Sequence, residues 1–274
     1  MSFLLANLAE LTRICILGGN GYLGNNLQAE LKLLGFVVTV IDSRVENLMN
    51  LGLKAGDLVL DCSRIRSLDA ENMERDAHFN QKLLDFIAKE NGSYLRIGSE
   101  LEVLLPLEVN LYREWSFSRT ESLMKYKTSK NFRTLLVPNI YGGYRSNSIV
   151  DLIIKTSLNR EKVELTNPFS FRSFIHIESL VQVIVNFLQH RFTQSKVVTL
   201  ISTNVTFRID SIQGYIHTQR QSELITRIPI YSNRLSTIFL EDTLKDDLSQ
   251  VCTLYSRLSK ANPVDMSQEP NRSN

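Results

Sequence analysis

Apolar residues along this chain fall into two alternating patterns. Short, nearly unbroken apolar runs at 14–17, 36–41, 57–62, 94–97, 134–137 and 197–201 read as buried strands. Between them lie longer stretches with apolar residues three and four positions apart, the spacing of one helix face. The first is marked by Leu27, Leu31, Leu33 and Leu34, the second (69–90) by Phe79, Leu83, Leu84, Phe86 and Ile87, closed by Asn91-Gly92. Further helices are predicted over 115–127, 149–158, 178–189, 209–220 and 241–258. Residues 101–111, with Pro106, read as a loop, 162–165 as a short strand, 171–177 as a strand-like run, and 229–240 as irregular or extended. Strand and helix in alternation predict an α/β protein with a Rossmann-like, doubly wound parallel sheet and a small C-terminal lobe. Boundaries are expected at 1–148 for the sheet domain, 149–262 for a mixed region that adds one strand and the lobe, and 263–274 for a polar, mobile tail.

The first strand runs into Gly18-Gly19-Asn20-Gly21-Tyr22-Leu23-Gly24. Gly18, Gly21 and Gly24 each have a physical job there. The first permits a sharp turn, the second lets backbone approach a pyrophosphate, and the third lets helix and strand pack without an intervening Cβ. The helix start then offers unpaired N–H groups to phosphate oxygens. The second strand ends in Asp42, placed to accept hydrogen bonds from an adenosine ribose. These features predict a dinucleotide site with Gly18, Gly21, Tyr22, Leu23, Gly24 and Asp42 as cofactor contacts. Asp42 favours NAD over NADP, because a carboxylate repels a 2′-phosphate, and Arg44 weakens that preference. Only about 14 residues separate Asp42 from the strand at 57, too few for a full crossover, so the third strand is expected to be short or missing.

In an open parallel sheet, ligands lie beyond the carboxyl ends of the strands. Gly18, Asp42, Cys62-Ser63 and Gly98-Ser99 should therefore line one rim. Ser99 at such a position reads equally well as a site residue and as a turn or N-cap serine.

Composition narrows the alternatives. The 274 residues carry a net charge of +2, which makes no broad electrostatic case for nucleic acid or a membrane surface. Three widely spaced cysteines, Cys15, Cys62 and Cys252, suit neither a metal site nor a disulfide framework and fit a reducing, cytoplasmic compartment. The lead-in at 1–11 lacks the basic start and long apolar run of a signal peptide, and no run of about 18 apolar residues is present.

Four stretches, in order, resemble the extended short-chain dehydrogenase/reductase family, in particular its nucleotide-sugar epimerases, dehydratases and 4-ketoreductases. Residues 17–24 are similar to its glycine motif, Ile97-Gly98-Ser99 to the strand end carrying its active-site Ser/Thr, Val137-Pro138-Asn139-Ile140-Tyr141-Gly142 to the strand end flanking nicotinamide and sugar, and 171–180 to its Arg-Asp-Phe-Val-His-Val-x-Asp-Leu stretch. The resemblance runs from about Arg13 to about Ile201. It implies that Ser99 orients a substrate oxygen, that Ser63 and Pro138 lie by the cofactor, that Asn139 contacts a nucleotide-sugar substrate and that Arg172 binds its pyrophosphate. His176 is a packed strand residue in this resemblance. It also implies a C-terminal substrate lobe and a homodimer formed through the two long helices after the fourth and fifth strands.

The same family uses a Tyr and a Lys four residues apart on one helix as its proton-transfer pair. Here Trp115-Ser116-Phe117-Ser118-Arg119 puts Trp for Tyr and Arg for Lys, and a second register, 117–121, loses both groups. Trp has no proton to exchange at neutral pH, while Arg119 keeps the charge to hold a ribose. Tyr112, three residues before Trp115, is placed to reach in from the loop. A literal Tyr126-x-x-x-Lys130 also occurs, but only about eight residues separate it from Pro138. The catalytic candidates are therefore Ser99, orienting the oxygen, with the proton donor open among Tyr112, Tyr126 (with Lys130) and a water. The implied activity is a 4-keto sugar reductase or epimerase in surface-polysaccharide synthesis. The altered pair also admits a cofactor-binding relative without catalysis, acting as a sensor or partner subunit.

Overall fold

A computed structural model of the chain describes residues 13–41, 51–65, 67–103, 111–142, 148–158, 164–165, 168–190, 192, 195–202, 207–218 and 236–239. Asp42, Arg44, Cys252, the helix predicted at 241–258 and the terminal segments 1–11 and 261–274 lie outside them.

Six strands form a parallel sheet: β1 (Ile14–Leu17), β2 (Val38–Ile41), β3 (Leu58–Asp61), β4 (Ser93–Ser99), β5 (Phe132–Val137) and, after two two-strand ribbons, β9 (Val198–Ser202). The ribbons use β6 (Asn139–Tyr141), β7 (Phe171–Arg172), β8 (Phe174–His176) and β10 (Phe207–Arg208). A last strand, β11 (Ser236–Phe239), adds antiparallel to β9, so 229–240 contains an ordered sheet edge. The spatial order is β2-β1-β3-β4-β5-β9-β11. Among the described residues β2 is the sheet edge, and the chain passes from it to β3 with no strand outside it.

Each strand feeds two cores, because successive side chains alternate between faces. Ile14, Ile16, Leu58, Leu60, Leu95 and Leu135 meet α1 (Tyr22–Leu33) and α5 (Ile177–His190) through Leu27, Leu31, Leu180 and Ile184. Cys15, Leu17, Val59 and Tyr94 face the other way, toward α2 (Ala70–Lys89) and α3 (Leu111–Met124). This is the doubly wound arrangement. A third core, built from Tyr141, Val150, Ile153, Phe174, Phe207 and Ile212, joins α4 (Ile149–Leu158) and α6 (Ile209–Thr218) to the short ribbons.

Three expectations are corrected. Leu33 and Leu34 are exposed, because α1 ends at Leu33 and its buried stripe stops at Leu31. Glu164 and Leu165 are not in a strand. The helix expected over 115–127 starts four residues earlier and ends three earlier, which puts Tyr112 on α3 and not in a loop.

Candidate functional site

The turn after β1 is built by glycines with distinct geometry. Gly18 has φ +76°, where an L side chain is strained, and a Cβ on it would stand 2.8 Å from the Ser63 Cα. Gly24 packs the first turn of α1 onto that same turn, since a Cβ there would lie 2.4 Å from the Gly18 carbonyl oxygen. Gly21 differs: it is exposed, and within 4 Å its Cβ would meet only the Gly18 oxygen. It is also the N-cap of α1, with no side-chain cap and no acidic residue in the first turn. The helix start therefore carries no side-chain cap and no first-turn acid, and backbone N–H groups at such an end are the donors a dinucleotide pyrophosphate accepts from. Tyr22 and Leu23 follow, half-buried, and the Tyr22 hydroxyl donates to the Gly142 carbonyl across the chain.

Ser99 ends β4 and begins a 3-10 turn, Glu100–Glu102. The cap reading of Ser99 is seen. Its Oγ accepts from the Leu101 N–H at 3.3 Å, and the Tyr112 phenol lies near enough to feel it. Because α3 begins at Leu111, Tyr112 sits in its first turn, one turn ahead of Trp115 and Ser116 on the same face. Burial pushes the Tyr112 phenol up from its ordinary range, while the charges of Arg64 and Arg96 and the bond to Ser99 pull it back down. The Arg64 guanidinium lies over the Tyr112 ring, 4.8 Å from its centroid.

The register with Trp115 and Arg119 is the one that faces inward, at 3% and 2% exposure, whereas Glu121 is exposed. Neither residue is free for the part the resemblance implies. The Trp115 indole donates to Asp76 at 2.7 Å. Arg119, expected at a cofactor ribose, is instead ion-paired with Asp61 at 2.9 Å and donates to Ser63 Oγ at 3.3 Å. Asp61 also accepts from Ser63 Oγ and Tyr94 Oη, both at 2.6 Å. Burial would raise the Asp61 pKa, but Arg119, Ser63 and Tyr94 outweigh it and hold the carboxyl below its ordinary range. Arg119 is correspondingly held more firmly protonated. Ser63 thus sits beside the Gly18 turn but turns its hydroxyl inward to this network.

A second buried network lies beside the first. Arg96, in the middle of β4, pairs with Glu102 at 2.8 Å and donates to Thr120 Oγ1 at 2.6 Å and Ser116 Oγ at 2.7 Å. Glu102 in turn accepts from the Ser99 N–H at 3.0 Å. This fixes the end of β4 and the start of α3 relative to each other, and with them Ser99 and Tyr112.

Pro138 is buried between β5 and β6. Asn139 follows it, and its amide donates to Glu100 Oε1 at 3.3 Å and to the Ser173 carbonyl at 3.1 Å. The Ser173 hydroxyl bonds the other Glu100 oxygen. Asn139 and Ser99 are therefore joined through Glu100, the residue next to Ser99. Arg172 is on β7, half-buried, bonded to its neighbour's Phe171 carbonyl at 2.8 Å. His176 packs edge-on against Tyr141, as a strand residue should.

Tyr126 and Lys130 do not join this cluster, which corrects the expectation that they form an alternative catalytic pair. Tyr126 lies beyond the C-terminal end of α3, stacked at 4.7 Å on Phe132, the first residue of β5 and so at the opposite end of the sheet from Ser99. Its hydroxyl bonds Asp85 of α2, and burial together with that carboxylate pushes its pKa up to about 12. Lys130 is exposed in the following turn.

Arg64, Asp76, Arg96, Glu100 and Glu102 were not singled out by sequence pattern. The one visible signal is Arg96, a charge in a run otherwise reading as a buried strand. Among the described residues there is no His/Cys/Asp/Glu group that could hold a metal and no helix long and apolar enough to cross a membrane.

No protein-family model and no curated protein matches the chain. Solved structures do. The UDP-N-acetylglucosamine 4-epimerase of Bacillus cereus aligns over 89% of this chain and 96% of its own, with 14% identity and a TM-score of 0.63. MoeE5, solved with UDP-glucose and NAD, aligns over 76% and 82%, with 15% identity and a TM-score of 0.64. The dTDP-glucose 4,6-dehydratase of Bacillus anthracis, solved with NAD, aligns over 77% and 82%, with 13% identity and a TM-score of 0.61. The sheet order, the glycine turn and these likenesses converge: the chain has the Rossmann-like fold of the nucleotide-sugar epimerases and dehydratases.

Proposed function

We propose that this protein binds NAD(H) across the Gly18–Gly24 turn and catalyses redox chemistry on a nucleotide sugar, as a 4-keto sugar reductase or epimerase of surface-polysaccharide synthesis. The observation that carries the proposal is that Ser99, at the end of β4, and Tyr112, in the first turn of α3, come together at the carboxyl edge of the sheet, close enough for the serine to lower the phenol's pKa. It restores a serine–tyrosine pair although position 115 holds Trp. Asp42 favours NAD, with NADP the alternative. The region 149–262, which also gives the sheet a strand, carries the substrate lobe in this reading, with Asn139 and Arg172 toward the sugar and its pyrophosphate.

The nicotinamide ring supplies the hydride acceptor or donor when bound. The residues of the chain do the rest. Ser99 orients the sugar oxygen by hydrogen bonding. Tyr112 gives that oxygen its proton in the reducing direction and takes it back in the oxidising one. The Asp61–Arg119 and Arg96–Glu102 pairs hold the floor of the site and keep Tyr112 in register with Ser99.

The test has two parts. Trp115 is the only tryptophan in the chain, so energy transfer from it to added NADH reports binding near the site. Nicotinamide absorbance is then followed with UDP- and dTDP-linked hexoses and their 4-keto derivatives. Binding with turnover that Tyr112→Phe abolishes supports the proposal. Absence of NADH and NADPH binding contradicts it, and binding without turnover of any such sugar would leave a cofactor-holding sensor or partner subunit.

A further inference from the structure

The proton-transfer pair just described lacks the lysine that would ordinarily support a phenol one helical turn away. Arg119, which the resemblance matches to that lysine but which stands two turns from Tyr112, has its charge met by Asp61 at 2.9 Å, with Asp76 a further 3.5 Å contact. Arg96 is nearer to Tyr112 in kind but is matched by Glu102, and the two act on the phenol in opposite directions. Trp115, a turn along on the same helix, is uncharged, its ring centroid 5.5 Å from that of Tyr112. Among the described residues one cation lies over the Tyr112 ring. Arg64, just past the end of β3, is exposed, forms no ion pair among the described residues, and has its guanidinium carbon 4.8 Å from the ring centroid. A guanidinium over a phenol face is attracted to the ring in either state and more strongly to the phenolate.

We propose that Arg64 is a positioning residue for Tyr112, clamping the ring so that its hydroxyl stays on Ser99 and stabilising the phenolate left when that hydroxyl gives its proton to a substrate oxygen. The O–H electron pair stays on the phenol oxygen, the proton moves to the sugar oxygen, and water returns a proton afterwards. The cation thus comes from the loop after β3, at the rim, and not from α3. This rests on the assignment of Ser99 and Tyr112 as the proton-transfer pair.

The test is a titration made without cofactor or sugar. Protein labelled with ¹³Cζ-tyrosine is titrated by NMR, and the Tyr112 resonance is identified by its absence from Tyr112→Phe. Arg64→Gln is expected to raise the Tyr112 midpoint by about half to one pH unit, with Arg64→Lys recovering part of the shift. If wild type and Arg64→Gln superimpose, or Lys recovers nothing, the proposal is overturned. Where turnover is measured, the same shift appears as a loss of about three- to tenfold in kcat at neutral pH with KM unchanged. An absence of turnover would count against the proton-transfer reading alone, because the titration decides the role of Arg64 without it.

Discussion

Tyr112, in the first turn of α3, stands near enough to Ser99 for the serine to lower its pKa, one turn ahead of the position where a tyrosine is expected and a tryptophan stands. The phenol is supplied from a different residue of the same helix, and the strand-end serine meets it. Replacing Tyr112 by Phe keeps the ring beneath Arg64 and removes only the hydroxyl. Turnover of the nucleotide sugar should fall by about 10²- to 10⁴-fold, the ordinary contribution of a positioned acid–base group. Energy transfer from Trp115 to NADH should be unchanged, which separates chemistry from binding.

Tyr126→Phe is the matched control. That hydroxyl bonds Asp85 and Gln81 on α2, and the ring stacks on Phe132. Turnover should stay at the wild-type rate. The stability loss, read by urea denaturation, should not exceed about 1.5 kcal/mol, the scale of one hydrogen bond.

The glycines of the turn make a paired prediction. Gly24→Ala forces a Cβ onto the Gly18 carbonyl oxygen, and backbone cannot step aside as a side-chain tip can. It should destabilise the fold by about 1–3 kcal/mol, as overpacking does. Gly21→Val brings its Cβ to 3.1 Å from the Gly18 carbonyl oxygen, which a shift of a few tenths of an ångström relieves, at φ −76° and ψ 173°, which any residue adopts. It should fold normally and lose NADH affinity. Wild-type affinity in folded Gly21→Val would show that the glycine turn is not the cofactor site.

The buried Asp61–Arg119 pair predicts a pH dependence. Asp61 is held below the carboxylate value of the unfolded chain. Its contribution to stability is therefore fully present above about pH 4 and is lost as the pH falls through the lower, folded value. Asp61→Asn leaves Arg119 buried without its partner and should cost about 3–5 kcal/mol at neutral pH. It should also flatten the acid limb of the stability profile, measured by denaturant midpoints over a pH series. An acid limb as steep as that of wild type would place the titrating group elsewhere.

Much of the fold is legible because strands buried on both faces read as unbroken apolar runs, and 14–17 and 58–60 do so plainly. The start of α3 is not. Its inward face is Trp115, Ser116, Arg119, Thr120 and Leu123, three of them polar, because it packs on Arg96, Glu102 and Asp61 as well as on the apolar core. Apolar periodicity carries no mark of such a helix, so its frame slipped and Tyr112 was taken for a loop residue. The glycine turn and Ser99 were visible as local motifs. Arg64, Glu100 and Glu102 meet residues distant in sequence or sit in an unmarked turn, and no spacing rule reveals a guanidinium over a ring 48 positions away. Leu33 and Leu34 misled in the opposite direction: their spacing continued an apolar stripe that the helix end cuts off.

The central claim is that the Ser99–Tyr112 pair performs proton transfer beside a dinucleotide held on the glycine turn. The most direct measurement is a rapid-mixing record of nicotinamide absorbance after NADH-loaded protein meets a UDP- or dTDP-linked 4-keto hexose, for wild type, Tyr112→Phe and Tyr126→Phe in parallel. The predicted result is a decay in wild type and Tyr126→Phe that Tyr112→Phe lacks while still holding NADH. An equal decay in Tyr112→Phe would contradict the account.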